Sequence, residues 1–340
     1  MNKNINIDLL RAISIFAVIV IHASMETFYR TPIGSVAWNI SNLAYSLTKF
    51  CVPIFIMISG FLLIKDKMDF VIFYKKRLLR ILPPLIFWSI IFGLITDENI
   101  FSYSWIINHF IENPAYFHLW FVYALIGIYF LIPLISIIYF NGKLSLFVIY
   151  TVSIFVFACL LPFINILYGV NTNFIAITTL NNFSALLIYP FLAIILKNTA
   201  YTKQRMRAAI LFFIASAIFI FVSTAITDKA LNVASELFYT YTYPPVVIMS
   251  ASLFYIFINL NFTFTSKQKK VIASISDCTF GIYLFHMVIH IYVIKLLSSL
   301  NILEDLHYPF INIFYALFLF LTSYAIISNA RKIKFITKIT

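Results

Sequence analysis

Arg11 and His22 stand eleven residues apart in the apolar stretch DLLRAISIFAVIVIHAS, residues 8–24. In an α-helix eleven steps cover roughly 16 Å of rise and end about 20° away from three full turns, so both side chains project from one face. Lipid disfavours both groups: an Arg at mid-span costs roughly 2.5–3.5 kcal/mol on insertion scales, and intramembrane ionisable groups usually face a bundle interior or a water-filled cavity. A His there is suited to take up or release a proton. Two plainer readings stand beside that chemistry. Arg11 can snorkel to the head groups while His22 is interfacial, and Asp8, one turn before Arg11, can pair with it.

A second group follows in DFVIFYKKRLLRILPP, residues 69–84. Arg77 and Arg80 are neighbours on one helical face beside Lys75 and Lys76, with Pro83 and Pro84 marking a kink near the next membrane entry. They read either as an anchor on lipid phosphates or as a phosphate clamp, since paired guanidinium forks match phosphate oxygens. His118 and Trp120 lie where an aromatic belt is expected, and an aromatic face with a His also suits a sugar. His286 and His290 are four apart on one helical face. That spacing permits a metal, but no acidic base lies between them and no third ligand is evident, so no metal is assigned and interior packing or acceptor contact is the better reading. Tyr283 and Asp277 in the same segment are placed to hydrogen-bond across a bundle. The Tyr241–Tyr243 and Pro244–Pro245 stretch reads as an interfacial anchor and helix start rather than a site.

The elements that must position these residues are membrane helices. The chain has 340 residues, 62% apolar and 11% charged, with 38 Phe and 7 Gly, a composition outside that of soluble domains. Ten apolar runs approach the roughly 20 residues needed to cross a hydrocarbon core. They lie near 6–26, 44–64, 80–96, 119–140, 144–167, 180–197, 207–227, 243–260, 276–298 and 308–329. Continuous apolar runs lack the alternation of a membrane barrel, so the expected class is an all-α, polytopic transmembrane bundle forming a single domain over 1–340. The first run reads as a retained span rather than a signal peptide, because it holds Arg11 and no small-residue cleavage site follows. Cys51, Cys159 and Cys278 sit apart in apolar runs and read as packing residues.

Positively charged loops stay cytoplasmic. With both termini inside, the cytoplasmic segments hold Lys3, Arg11, Lys65, Lys67, Lys75, Lys76, Arg77, Arg80, Lys143, Lys197, Lys203, Arg205, Arg207, Lys267, Lys269, Lys270, Arg331, Lys332, Lys334 and Lys338. That is 20 of 24, leaving Arg30, Lys49, Lys229 and Lys295 opposite. Glu26, Asp97, Glu98, Glu112, Asp228, Glu236, Glu304 and Asp305 fall with the external loops. The net charge of +12 is thus a topology signal set against anionic membrane lipids and requires no nucleic acid. No loop is long enough for a soluble domain. Lipid-facing and helix-facing surfaces look alike in such runs, so the sequence assigns no oligomer.

Five segments in order carry a family resemblance: IDLLR with His22 in the first span, VPIFIMISGFLL in the second, Arg-Leu-Leu-Arg in the following loop, YFHLWFVYALIGIYFLIPLI in the fourth span and GIYLFHMVIH in the ninth. Together they resemble the membrane acyltransferase-3 family over almost the whole chain. VAWNISNL and NPAYFHLWF resemble its short single-domain O-acetyltransferases, the branch acting on enterobacterial common antigen; no esterase-like domain is expected after the bundle. The resemblance implies a bacterial inner-membrane enzyme that takes an acetyl group from cytoplasmic acetyl-CoA and delivers it to a hydroxyl of a cell-surface or lipid-linked glycan. His22 and Arg11 would then be catalytic, Arg77, Arg80, Lys75 and Lys76 would hold the acyl-CoA phosphates, and His118, Trp120, His286 and Tyr283 would contact the acceptor. The alternative is a transporter or flippase of a lipid-linked sugar, in which Arg11 and His22 line a path without chemistry. Pro53, Pro133 and Pro190 interrupt spans but form no symmetric pairing that would favour it.

Overall fold

The computed structural model describes residues 4–96, 102–107, 112–168, 182–302, 310–333 and 335–340. Asp97, Glu98, Glu304 and Asp305 of the external loops, and Lys3 and Lys334 of the basic segments, lie outside the described residues. Among the described residues every regular element is helical. Nine helical stretches are long and apolar enough to cross a membrane, and a shorter apolar one, Phe183–Lys197, occupies the place of the run expected near 180–197.

The central helix is α1, Ile5–Arg30, capped by the Asn4 side chain on Asn6 N–H. Around it pack α2 (Val36–Thr48), α3 (Cys51–Leu63), α10 (Pro244–Asn259), α11 (Ser266–Ser299) and α12 (Ile311–Ala330). Outside this ring stand α4 (Phe70–Thr96), α5 (Trp120–Asn141), α6 (Leu144–Ile154), α7 (Leu161–Tyr168), α8 (Ile188–Lys197) and α9 (Lys203–Leu231). The outermost helices expose Leu211, Ile218, Ile226, Ile149 and Val152. A bundle in lipid needs no polar coat, so these faces are its solvent-matched surface.

The breaks fall at prolines. The run expected as one span near 44–64 is two helices hinged at Lys49 and Phe50, because Pro53 in the first turn of α3 has no N–H for the Lys49 carbonyl and its ring crowds that turn. Pro162 likewise cannot donate to Ala158, and the backbone widens to a π-helical segment at Phe155–Leu160 between α6 and α7. Pro244 and Pro245 occupy the first turn of α10, where the missing N–H groups have no helical partner anyway. In α4 the helix begins at Phe70, well before the apolar run, so Arg77 and Arg80 ride on it rather than on a loop, with Pro83 and Pro84 inside. Those prolines leave the Leu79 and Arg80 carbonyls without helical donors at the basic end.

Two close contacts fix the register of the ring. A Cβ built on Gly60 of α3 would stand 2.6 Å from Pro190 Cα and 2.8 Å from Pro190 Cβ of α8, so these backbones approach as only small residues permit. At the basic end, the Trp88 indole N–H donates to the Ile339 carbonyl at 2.8 Å, and Arg331 Nη1 donates to the Thr340 carbonyl at 3.1 Å. The chain after α12 is thereby folded back against α4. Gly60→Val is expected to force α3 from α8, destabilising the bundle by about 1–3 kcal/mol, read as a lower thermal unfolding midpoint in detergent.

Candidate functional site

The polar residues of α1 determine what the surrounding helices must supply. Near the basic end, Asp8 is buried and its Oδ1 accepts from Ser276 Oγ of α11 at 2.7 Å. The same oxygen lies 3.5 Å from Arg11 Nη1. The pairing of Arg11 with Asp8 is therefore present, yet Arg11 keeps 30% of its side chain accessible and projects into a cavity instead of reaching head groups.

That cavity has a volume of about 440 Å³, within the range of small-molecule sites. Its mouth is cationic: Arg11, Lys65, Lys76, Arg77, Arg80 and Arg331 line it. Asp277 and Tyr129 complete the polar wall. Deeper in, the lining turns apolar through Val18, Val52, Phe55, Phe121 and Leu125. Lys75, expected with the arginines, is exposed and does not line the cavity. Lys65 and Arg331 do, although they lie outside α4; the former follows α3 and the latter follows α12. Six cations share one cavity, so each raises the attraction for a polyanion beyond what separate surface charges achieve.

Beyond the apolar neck lies a second, smaller space of about 40 Å³ lined by Val18, Ile21, His22, Cys51, Val52, His118, Trp120, Phe121, Tyr241 and Tyr283. Val18, Val52, Phe121 and Tyr283 belong to both linings. Arg11 and His22 are thus at two levels of one route through the bundle, as their shared helix face required.

Around His22 the structure gathers residues from four parts of the chain. Its ring centroid is 5.2 Å from that of His286 on α11 and 5.4 Å from Phe117, in the 3-10 turn Phe117–Leu119 that leads into α5. His118 is 5.6 Å from His286, edge to face, and 5.3 Å from Tyr283. Tyr283 donates its hydroxyl to the His118 carbonyl, tying α11 to that turn. His118 itself is buried with both ring nitrogens unpartnered. Trp120 stacks on Tyr241 with centroids 5.7 Å apart and planes 29° apart. His290 faces a different neighbour, Tyr315 of α12, whose hydroxyl is 2.9 Å from its Nδ1. His286 and His290 therefore do not converge on one point, and among the described residues no group of His, Cys, Asp and Glu is arranged to hold a metal ion.

Three residues here escaped the sequence reading. Tyr241, taken for an interfacial anchor, is a wall of the small chamber, its backbone carbonyl accepting from the Tyr189 hydroxyl of α8. Cys51, taken for packing, is a wall of the same chamber. Lys49, placed with the external cations, is 3% exposed, its Nζ 5.0 Å from the centroids of Tyr45 and Tyr239, 5.1 Å from that of Tyr241 and 3.9 Å from Glu236 Oε2. A cation cupped by three aromatic faces and one carboxylate is satisfied without water. The legible signal was its breach of the positive-inside pattern immediately before Phe50 and Cys51.

A helical bundle crossing the membrane many times, with a cationic cavity narrowing to a histidine-lined chamber, defines a multi-pass membrane protein with an internal polar site. The chain belongs to the acyltransferase-3 family: the family model, described as an acyltransferase domain, matches residues 4–328, and the protein is accordingly a membrane acyltransferase. No curated protein and no solved structure matches the chain.

Tyr283→Phe removes the hydroxyl that holds the His118 carbonyl. The expected loss is about 1 kcal/mol of stability, seen as a lower unfolding midpoint in detergent, with no change in helix content by circular dichroism.

Proposed function

We propose that this acyltransferase moves an acetyl group from acetyl-CoA, entering at the basic and cytoplasmic end, to a sugar hydroxyl of a lipid-linked or extracytoplasmic glycan at the bacterial inner membrane. The observation that carries this reading is the shared wall of Val18, Val52, Phe121 and Tyr283, which joins a polyanion-binding mouth to the chamber of His22. A donor with phosphates at one end, a long uncharged arm and a reactive thioester at the other matches that sequence of surroundings. Arg77, Arg80, Lys76, Lys65 and Arg331 face the phosphates, with forked guanidinium donors suited to their oxygens. Lys75 contributes only long-range attraction in this reading, being outside the cavity. The apolar neck accommodates the arm and keeps bulk water from the thioester.

The thioester then lies by His22. A positioned imidazole can take the proton of the attacking hydroxyl, which typically contributes about 10²–10⁴ in rate; the same lone pair can alternatively accept the acetyl group first and pass it on. Arg11 sits on the route between mouth and chamber, where its charge orients the donor. His118, Trp120, Tyr241 and Tyr283 form the acceptor side, offering aromatic faces to a sugar ring. Resemblance to the single-domain O-acetyltransferases supports a short acyl group over a long one. Resemblance to the enterobacterial-common-antigen branch supports a lipid-linked glycan as acceptor.

In proteoliposomes or membranes supplied with radiolabelled acetyl-CoA, the wild-type chain is expected to place label on glycan, and His22→Ala to abolish it while remaining in the membrane. Glycan mass spectrometry should show the matching loss of an acetyl mass. Label retained with His22→Ala, or lipid-linked sugar translocated with no acetyl product, would overturn the assignment. Replacing Arg77 and Arg80 together by Ala removes charge-assisted hydrogen bonds of about 1.5–3 kcal/mol each, so the half-saturating acetyl-CoA concentration should rise at least roughly tenfold.

A further inference from the structure

Besides the two of His118, two buried ring nitrogens in the histidine cluster stand without hydrogen-bond partners: Nδ1 of His22 and Nε2 of His286. Their rings have centroids 5.2 Å apart and planes tilted by 36°. Two imidazoles joined edge to edge by an N–H···N bond of about 2.9 Å would have centroids roughly 5 Å apart, since each nitrogen lies roughly 1 Å from its ring centre. The centroid spacing is that of a pair able to bond.

The partner of the other His286 nitrogen gives the pair a direction. His286 Nδ1 lies 3.1 Å from the Ile282 carbonyl oxygen, one turn earlier in α11. A carbonyl oxygen only accepts, so Nδ1 carries the proton and the neutral ring offers Nε2 as an acceptor alone. The group it can accept from is the N–H of a neighbouring ring. His290 is engaged with Tyr315, and His118 presents its ring to His286 at 89°, whereas His22 lies closest to coplanar.

We propose that His286 is the positioning residue of His22: its Nε2 accepts a hydrogen bond from His22 Nδ1–H. This fixes the tautomer in which His22 Nε2 holds its lone pair toward the chamber. The inference rests on the reading of His22 as the reacting side chain. In direct transfer, the acceptor oxygen bonds to the thioester carbonyl carbon as its proton passes to His22 Nε2. The C–S bond then breaks, and the same proton moves to the departing thiolate. His22 Nδ1–H stays in place throughout, and His286 neither gains nor loses a proton. Transfer through an acetylated His22 needs the same Nε2 lone pair, so the relay serves either route. A histidine held in the wrong tautomer is a poor base: in serine-protease triads that defect costs about 10⁴ in turnover.

The test uses membranes of the producing strain, which carry the native acceptor, supplied with radiolabelled acetyl-CoA. His286→Leu fills the space without an acceptor atom, whereas His286→Gln places an amide oxygen near the position of Nε2. His286→Leu is expected to lower the maximal rate by a factor on the order of 10² or more, with half-saturating acetyl-CoA and protection against thermal unfolding by acetyl-CoA unchanged within about threefold. His286→Gln is expected to recover at least a tenth of the wild-type rate. The proposal is overturned if His286→Leu keeps more than a third of that rate, if His286→Gln is as inactive as His286→Leu, or if His286→Leu also loses acetyl-CoA protection, as a purely structural role would give. His22→Ala in the same assay tests the underlying reading separately: activity surviving that change defeats the acyl-transfer role of His22 whatever His286 does.

Discussion

A polar side chain on a membrane helix is stable only where protein or water, not lipid, meets it, and in this protein α1 carries Asp8, Arg11, His22, Ser24 and Glu26 along one helix. The rest of the bundle can be read as the answer to that demand. Ser276 and Arg11 meet Asp8. Asn312 of α12 donates to Ser24 and also to Ser41 of α2, binding three helices at one buried point. Glu26 is paired with Arg30 one turn on. Because Ser276, Asn312 and Ser41 come from helices packed on one another around α1, satisfying its buried polar groups and closing the ring are coupled.

Two of these polar groups keep an open side, and they lie on the route proposed for the donor. Arg11 retains access to a cavity shared with five further cations. His22 retains an unpartnered nitrogen in a cluster of histidine and aromatic rings. Leaving a buried nitrogen such as His22 Nδ1 unpartnered costs stability. Two exceptions to the positive-inside pattern are instructive by contrast: Arg30 pairs with Glu26 at the surface, and Lys49 is buried against Glu236 and three tyrosines.

The all-α membrane class and the approximate positions of the spans were legible because hydrocarbon imposes one rule on every crossing segment: a run of apolar residues long enough to span it, with its backbone bonded internally. The spacing of Arg11 and His22 was legible for a similar reason, since helix geometry is fixed locally. Motif order was enough to name the family that the match over residues 4–328 establishes. Helix ends were less legible. The start of α4 at Phe70 and the hinge at Lys49 and Phe50 depend on where polar turns leave the apolar phase and on what Pro53 does to a helix already under way.

What only the tertiary structure decided is which distant residues meet. Lys65, Arg331 and the pair Arg77 and Arg80 converge on one cavity while Lys75, two residues before Arg77, does not, because two helical steps turn a side chain by about 200°. His286 and His290, four residues apart and on one face, nevertheless meet different helices, through His22 of α1 and Tyr315 of α12. Tyr241 and Cys51 join the chamber through the closure of α10 and α3 around α1, contacts with no local signature. The sequence by itself determined that polar groups had to be enclosed in the bundle and which helix would carry them. The packing of helices against one another, which in lipid depends on shape and small residues rather than on hydrophobicity, decided what encloses them.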